Sequence, residues 1–278
     1  MFLKKLLKPK WQNIKYLNFL KIYYWRFKDF SLSPFVKRKF DGLQINIRLF
    51  VIYRFRYFYM DFYSQQNEDK YLYSFFNLDK TKNGTYLEIG AYDGKLFSNT
   101  LSLNKINNFV GILIEPQDVY FKKLKINRPN DYLYNCVITN STSNEVIFIG
   151  ENLEAGVFNS ISTDLNRYPK WKKISLENRM LKDIIKDSKF QYLDIVSIDT
   201  EGSELEVLKS IDFNIPIVLL IIEAHQNQPE RDIELKKLLD LNGFKLIKKI
   251  RGNYWFFNEK NNEINNRLFP RNSFKKFL

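Results

Sequence analysis

The sequence predicts an α/β protein built on an open, doubly wound, mostly parallel sheet with helices on both faces. Three observations carry that reading. From residue 64 onward, short apolar β-branched runs alternate with amphipathic stretches; most runs are apolar at every position; and the first ends in a glycine turn. The runs are TYLEIG (85–90), FVGILIEP (109–116), DYLYNCVIT (131–139), EVIFIG (145–150), LDIVSID (193–199), IVLLIIEAH (217–225), GFKLIKKI (243–250) and NYWFFN (253–258). Continuous rather than alternating apolarity is the mark of strands covered on both faces. Between them, YFKKLKINR (120–128), SELEVLKSI (203–211) and ERDIELKKLLDLNG (230–243) have helical periodicity, the last closing on Gly243 at a C-cap position. Regular strand–helix alternation is the pattern of an open sheet.

The rest of the chain divides around this domain, which spans 64–258. Residues 1–63 hold 14 Lys/Arg against 3 Asp/Glu, while the remaining 215 residues hold 30 against 28. Codon bias would spread the lysines evenly, so this localisation calls for a physical reason. Aromatic residues recur between those cations, a pattern suited to helices broken at Pro34 and Asp41-Gly42. Two readings stand open: helices packed on the domain, or a peripheral element on an anionic membrane surface. Residues 259–278 are a polar tail rich in Asn and Lys. The stretch 151–192 is long for a strand connection and reads as a substrate loop carrying Arg167, Tyr168, Trp171 and Lys172, or as a surface helix.

Composition excludes several classes. Cys136 is the only cysteine and His225 the only histidine, so neither a disulfide framework nor a zinc site can form. No apolar run approaches the roughly 20 residues of a membrane span. Lysines interrupt the N-terminal apolar stretch and no small-residue cleavage site follows, so no secretory signal is expected and the expected compartment is the cytoplasm.

The chemistry sits at the carboxyl ends of the strands, where open α/β sheets bind ligands. The first strand leads into Glu88-Ile89-Gly90-Ala91-Tyr92-Asp93-Gly94, a turn in which glycine lets the backbone pass close to a ligand. It lacks the G-x-G-x-x-G of dinucleotide sites. Glu88 and Asp93 would repel a pyrophosphate and attract a cationic sulfonium with a free amino group. The second strand ends in Glu115-Pro116, placing an acid where ribose hydroxyls are held. Asp199 and Glu201 follow a later strand and face the same crevice, where they can orient a substrate, accept its proton or share a divalent cation. Ser203 and Glu204 read as a helix N-cap and a favourable first-turn acid, hence structural. His225, two residues beyond Glu223 at a strand end, is a candidate general base.

Together the blocks SQQNED (64–69), LEIGAYDGKLFSNT (87–100), GILIEP (111–116), SIDTEGSELEVLKSIDF (197–213) and LLIIEAH (219–225) resemble the FkbM family of S-adenosylmethionine-dependent methyltransferases. The resemblance covers about residues 64–258. It implies a Rossmann-like class I sheet of seven strands, the last antiparallel, and S-adenosyl-L-methionine as cofactor. It implies that Glu88, Gly90 and Gly94, with Ala91, Asp93 and Asn99 of the same turn, hold the methionine part. Glu115, with Pro116, would hold the ribose. Cys136 and Val137 would lie against the adenine, where the chain departs from the family in lacking an Asp. The implied activity is O-methylation of a sugar, glycan or secondary metabolite, with Asp199, Glu201 or His225 taking the hydroxyl proton and Asp199 the first choice; no resident metal is assigned.

The sequence leaves other readings open. A membrane-associated glycosyltransferase suits an α/β chain with a basic segment, but no D-x-D motif occurs. A nucleic-acid partner is not expected, since the base-methylation signature N-P-P-Y is absent. A non-catalytic nucleotide-binding module would bind cofactor without turnover.

Overall fold

A computed structural model describes residues 62–75, 78, 83–150, 155–157, 172–224, 229–250 and 252–260. The expectations for residues 1–61, for His225, for Arg167, Tyr168 and Trp171, and for the tail beyond residue 260 lie outside the described residues. Among the described residues, no helix is long and apolar enough to cross a membrane.

The domain opens with α1 (Glu68–Phe75), then β1 (Thr85–Ile89), α2 (Leu101–Asn107), β2 (Val110–Ile114), α3 (Asp118–Asn127) and β3 (Tyr132–Tyr134). After β4 (Val137–Ile138), β5 (Glu145–Gly150), β6 (Ala155–Val157) and β7 (Lys172–Arg179) come α4 (Leu181–Ser188) and β8 (Leu193–Ile198). The chain continues through α5 (Glu204–Lys209), β9 (Ile217–Glu223), α6 (Pro229–Leu241), β10 (Phe244–Ile250) and β11 (Asn253–Asn258). Seven strands form one sheet in the order β10-β11-β9-β8-β1-β2-β3. Strands β9, β8, β1, β2 and β3 pair in parallel, while β11 runs antiparallel to both β9 and β10. This is the Rossmann-like methyltransferase architecture implied by the resemblance.

The continuous apolarity of the central strands has its explanation here. Leu87, Ile89, Ile112, Ile114, Val196, Ile198, Leu220 and Ile222 join one core with Leu181, Ile184 and Ile185 of α4, Leu205 and Leu208 of α5, and Leu235 and Leu239 of α6. The intervening Tyr86, Leu113, Ile195, Leu219 and Ile221 join the opposite core with Leu72 of α1, Leu103 of α2 and Leu124 of α3. Side chains alternate between faces, so a strand with a helix layer on each side needs apolar groups at every position.

Three sequence expectations need correction. The run 131–139 is two strands, broken at Asn135–Cys136; β3 stays in the main sheet while β4 pairs with β7. EVIFIG (145–150) belongs to a second, four-stranded sheet of order β4-β7-β5-β6, not to the main one. The stretch 151–192 contains β6, β7 and α4 rather than a loop alone. Buried Leu181, Ile184 and Ile185 give α4 the i, i+3, i+4 stripe that seats it on the sheet.

Strand order reverses at β1: β2 and β3 lie to one side, β8 and β9 to the other. The chain leaving β1 and the chain leaving β8 therefore lead to helices on opposite faces of the sheet, the arrangement that places the crevice of an open sheet at these strand ends.

Candidate functional site

The loop after β1 is fastened to both neighbours by backbone bonds. Gly90 and Ala91 donate to the Ile114 carbonyl at 3.1 and 3.0 Å, and Asp199 donates to Ile89 at 3.1 Å. Gly90 has φ +82°, and a Cβ there would lie 1.9 Å from the Asp199 carbonyl oxygen. Gly94, at φ +73°, has Leu124 Cδ1 2.4 Å and Arg128 Cγ 2.7 Å from the position a Cβ would take. The space these glycines keep open is thus filled by the protein itself, which brings the β1 and β8 loops into contact.

Glu88 lies buried beneath this loop. Its carboxylate accepts from Ser98 Oγ at 2.8 Å, Asn99 N at 2.6 Å and Thr100 Oγ1 at 2.6 Å, with the Arg128 guanidinium 4.0 Å away. Burial pushes its carboxyl above the usual range, and Arg128 and the three donors oppose that. Arg128 is itself buried; it binds Asp131 at 2.8 Å, Gly94 O at 3.1 Å, Ser98 Oγ at 3.2 Å, Thr100 Oγ1 at 3.1 Å and the Tyr86 hydroxyl. Asp93 turns into its own loop, accepting from Lys95 N and Leu96 N at 2.9 and 2.7 Å. Asn99 donates its side-chain amide to Ser197 Oγ at 2.9 Å, tying the start of α2 to β8.

At the tip of β2, Glu115 is 4% exposed and held by two backbone donors, Tyr92 N at 2.9 Å and Gln117 N at 2.8 Å. Burial pushes its carboxyl up to about 7, the two N–H groups acting against that. Each oxygen keeps a further lone pair, so the group can still accept two hydroxyls. Asn135 donates to the carbonyls of Glu115 and Pro116 at 2.9 and 3.1 Å, which anchors the segment after β3 to the acid. Cys136 and Val137 follow it, both buried; burial pushes the Cys136 thiol up to about 12, leaving it protonated and unreactive.

Across the crevice, the register pairs Ile198 with Ile222, which makes Asp199 and Glu223 neighbours one residue further on. Asp199, Glu201 and Glu223 each bring a carboxylate oxygen to within 4.8 Å of the others. Asp199 is raised well above the usual carboxylate range, by burial first and then by the charges of Glu223, Glu201 and Glu204 and a hydrogen bond with Glu223. Three acids this close must share protons or a cation. Glu201, at φ +53°, is exposed and sits at the loop's tip.

Glu204 holds that loop from below, accepting from Thr200 N, Thr200 Oγ1 and Gly202 N at 3.1, 3.0 and 3.0 Å. Arg231 of α6 pairs with it at 2.9 Å and donates to Gly202 O at 2.7 Å. Ser203 occupies the N-cap position without a side-chain cap bond, and Glu204 reaches back to the loop before the helix rather than capping it.

Several of these side chains gave no signal in the sequence. Glu223 stood out only as the neighbour of His225; Arg128 read as an ordinary helix-end residue, and Asp131 and Asn135 as members of one strand run. Only the strand pairing and the approach of α3 to the β1 loop reveal them.

Residues 88–249, more than half of the chain, match the family described as the methyltransferase FkbM domain. No curated protein matches. Among solved structures, precorrin-6y C5,15-methyltransferase from Geobacter metallireducens GS-15 is 10% identical, with TM-score 0.38, over 69% of this chain and 86% of that one. The fibrillarin pre-rRNA processing protein of Methanococcus jannaschii is 13% identical, with TM-score 0.37, over 64% and 68%. TrmK of M. capricolum, in complex with S-adenosylhomocysteine, is 12% identical, with TM-score 0.34, over 67% and 66%.

Proposed function

Because the chain belongs to the FkbM methyltransferase family, we propose that it methylates a hydroxyl of a sugar, glycan or secondary-metabolite acceptor, with S-adenosylmethionine as donor. The observation that carries the reading is the pairing of two acidic stations across one crevice: buried Glu115 at the tip of β2, and the Asp199–Glu223 pair at the tips of β8 and β9. A cofactor with a ribose diol at one end and a cationic sulfonium at the other fits that donor set.

When bound, the cofactor supplies a methyl carbon made electrophilic by the sulfonium. Glu115 accepts the ribose hydroxyls, and its two backbone donors keep the carboxylate aimed while it does so. Glu88 serves indirectly: through Ser98, Asn99 and Thr100 it fixes the loop that borders the methionine end. Gly90 lets the β1 and β8 loops meet. In its ionised form the Asp199–Glu223 pair would take the acceptor's hydroxyl proton at Asp199, the raised basicity of the buried carboxylate favouring that transfer. Holding the acceptor in line contributes up to roughly 7–11 kcal/mol, and a positioned base about 10²–10⁴-fold. Residues 64–278 are nearly neutral in net charge, which suits a small or glycan acceptor better than a polyanion.

A second reading gives the three carboxylates a divalent cation; their oxygens are close enough for one ion. The basic, aromatic sequence of residues 1–63 has a charge that suits an anionic membrane surface.

The test is a thermal-shift titration with S-adenosylmethionine, S-adenosylhomocysteine, NAD and a UDP-sugar. Ligand at 100 times its Kd stabilises by about 2.7 kcal/mol. A shift with the two adenosyl compounds alone, lost in Glu115→Ala, is the expected result. A shift with the UDP-sugar instead would replace this reading with a glycosyltransferase.

A further inference from the structure

The solvent face of α3 differs from that of an ordinary surface helix. Within α3 only Leu124 is buried, joining the core that Leu103 and Leu113 share. On the opposite side Val119 is 65% exposed and Ile126 79% exposed, the latter the most exposed large apolar side chain among the described residues. Val119, Lys122, Lys123 and Ile126 stand at i, i+3, i+4 and i+7, which places all four on one stripe. Apolar side chains scattered singly over a surface call for no explanation. These two share one stripe of a helix whose outward face should be polar throughout.

The charge around that stripe is one-sided. Lys122, Lys123 and Lys125 are all exposed, and among the described residues none of them pairs with a carboxylate. Other lysines of the domain are matched, Lys245 with Asp240 at 2.6 Å and Lys209 with Glu234 at 2.9 Å. The one acid of α3, Asp118, is its first residue. Lys123 Nζ lies 5.5 Å from the Tyr120 ring centroid and Lys125 Nζ 5.3 Å from that of Phe121. Each ammonium thus stands over a half-buried ring, its stem laid along the helix and its charge kept at the surface.

We infer that the outer face of α3 docks the domain on an anionic lipid surface, with Val119 and Ile126 entering the headgroup layer and the three lysines meeting its negative charge. Apolar tips flanked by unpaired cations on one helix face are the composition of an element that lies in a membrane interface. Charge complementarity selects this occupant. Residues 1–63 hold 14 Lys/Arg against 3 Asp/Glu, and the chain carries a net charge of +13, so neither that segment nor a second copy supplies the negative charge that three lysines attract. A nucleic acid supplies phosphates but leaves Val119 and Ile126 in water. The inference is independent of the cofactor reading, because none of these five side chains takes part in the site.

The test is co-sedimentation of the full chain with vesicles of phosphatidylcholine alone and of phosphatidylcholine mixed with phosphatidylserine, over a range of salt. The parent should bind the mixed vesicles and not the neutral ones. Lys122→Gln with Lys125→Gln should weaken that binding about 25-fold, or about 2 kcal/mol at one for each lysine, and flatten its salt dependence. Val119→Ser with Ile126→Ser should weaken it about tenfold and leave the salt dependence as in the parent, since apolar insertion is not screened. All four side chains are exposed, so both variants should keep the parent's Tm. Residues 1–63 are present throughout, so any lipid affinity of their own is common to parent and variants, and the ratio reads α3. A parent that ignores the mixed vesicles, or a lysine variant that binds them within about twofold of the parent, overturns the inference. Loss in the lysine variant with none in Val119→Ser/Ile126→Ser overturns it as well, because the apolar tips then stay out of the surface. Binding of poly(A) RNA that falls in the lysine variant while vesicle binding holds replaces the lipid with a nucleic acid.

Discussion

Arg128→Met removes the one cation in a buried cluster that also contains Glu88 and Asp131. The guanidinium lies 4.0 Å from Glu88 and 2.8 Å from Asp131, and it donates to Gly94 O, Ser98 and Thr100 as well. Methionine preserves much of the apolar stem but leaves two carboxylates uncompensated in the interior. Breaking a buried pair from one side costs about 3–5 kcal/mol. At roughly 2–4 °C per kcal/mol for a domain of this size, Tm should fall by about 6–20 °C. The loss should also depend on pH. Burial already raises Glu88 above its ordinary 4.5, and Arg128 is the largest influence pulling it down. Without Arg128 it rises further. A carboxyl raised in the folded state stabilises below its unfolded value and loses that contribution as pH climbs through the folded one. The gap between parent and variant should therefore be small near pH 4.5 and widen toward pH 8. Thermal unfolding by circular dichroism at half-unit intervals measures it. A gap of constant size across that range would refute the electrostatic account and reduce Arg128 to a packing group. S-adenosylhomocysteine should also bind more weakly, because the loop from Gly94 to Thr100 loses its anchor.

The other predictions are briefer. Gly90→Ala places a methyl 1.9 Å from the Asp199 carbonyl on a backbone at φ +82°, so the β1 and β8 loops must part. Strain alone costs about 1–2 kcal/mol, and calorimetry should show cofactor affinity falling at least tenfold; unchanged affinity would mean the loop contact does not shape the site. Asp199→Asn removes a carboxyl raised by burial and by three neighbouring acids. By the same sign rule, the variant should melt a few degrees higher than the parent at pH 8, with the difference vanishing toward pH 4, while turnover is lost. A variant that is less stable at pH 8 would show that the charge is compensated. Dialysis against EDTA should leave Tm unchanged; a clear drop would assign a cation to Asp199, Glu201 and Glu223.

Much of the site is legible in the sequence because the chemistry of an open sheet collects at strand ends. Glu88 lies in the first run and Gly90, Glu115, Asp199 and Glu201 within three residues of a strand end, so locating the strands locates them. Glu223 also ends a strand, but its partner Asp199 lies 24 residues earlier in the chain, and only the parallel register of β8 with β9 brings the two together. Arg128 closes a stretch that reads as a helix and Asp131 opens one that reads as a strand, and their burial depends on α3 closing over the β1 loop.

The sequence by itself determined the α/β class, the positions of seven of the eight strands it named and the acids at their ends. It could do so because apolar periodicity and glycine turns are local and short-ranged. The tertiary structure decided which sheet each strand joined. EVIFIG has the composition of a core strand yet pairs with β7 in the second sheet, since composition specifies a buried strand but not its neighbour. The tertiary structure also settled what the glycine turn accommodates: its open space is filled by Asp199 and α3, contacts between segments distant in the chain that no local pattern encodes.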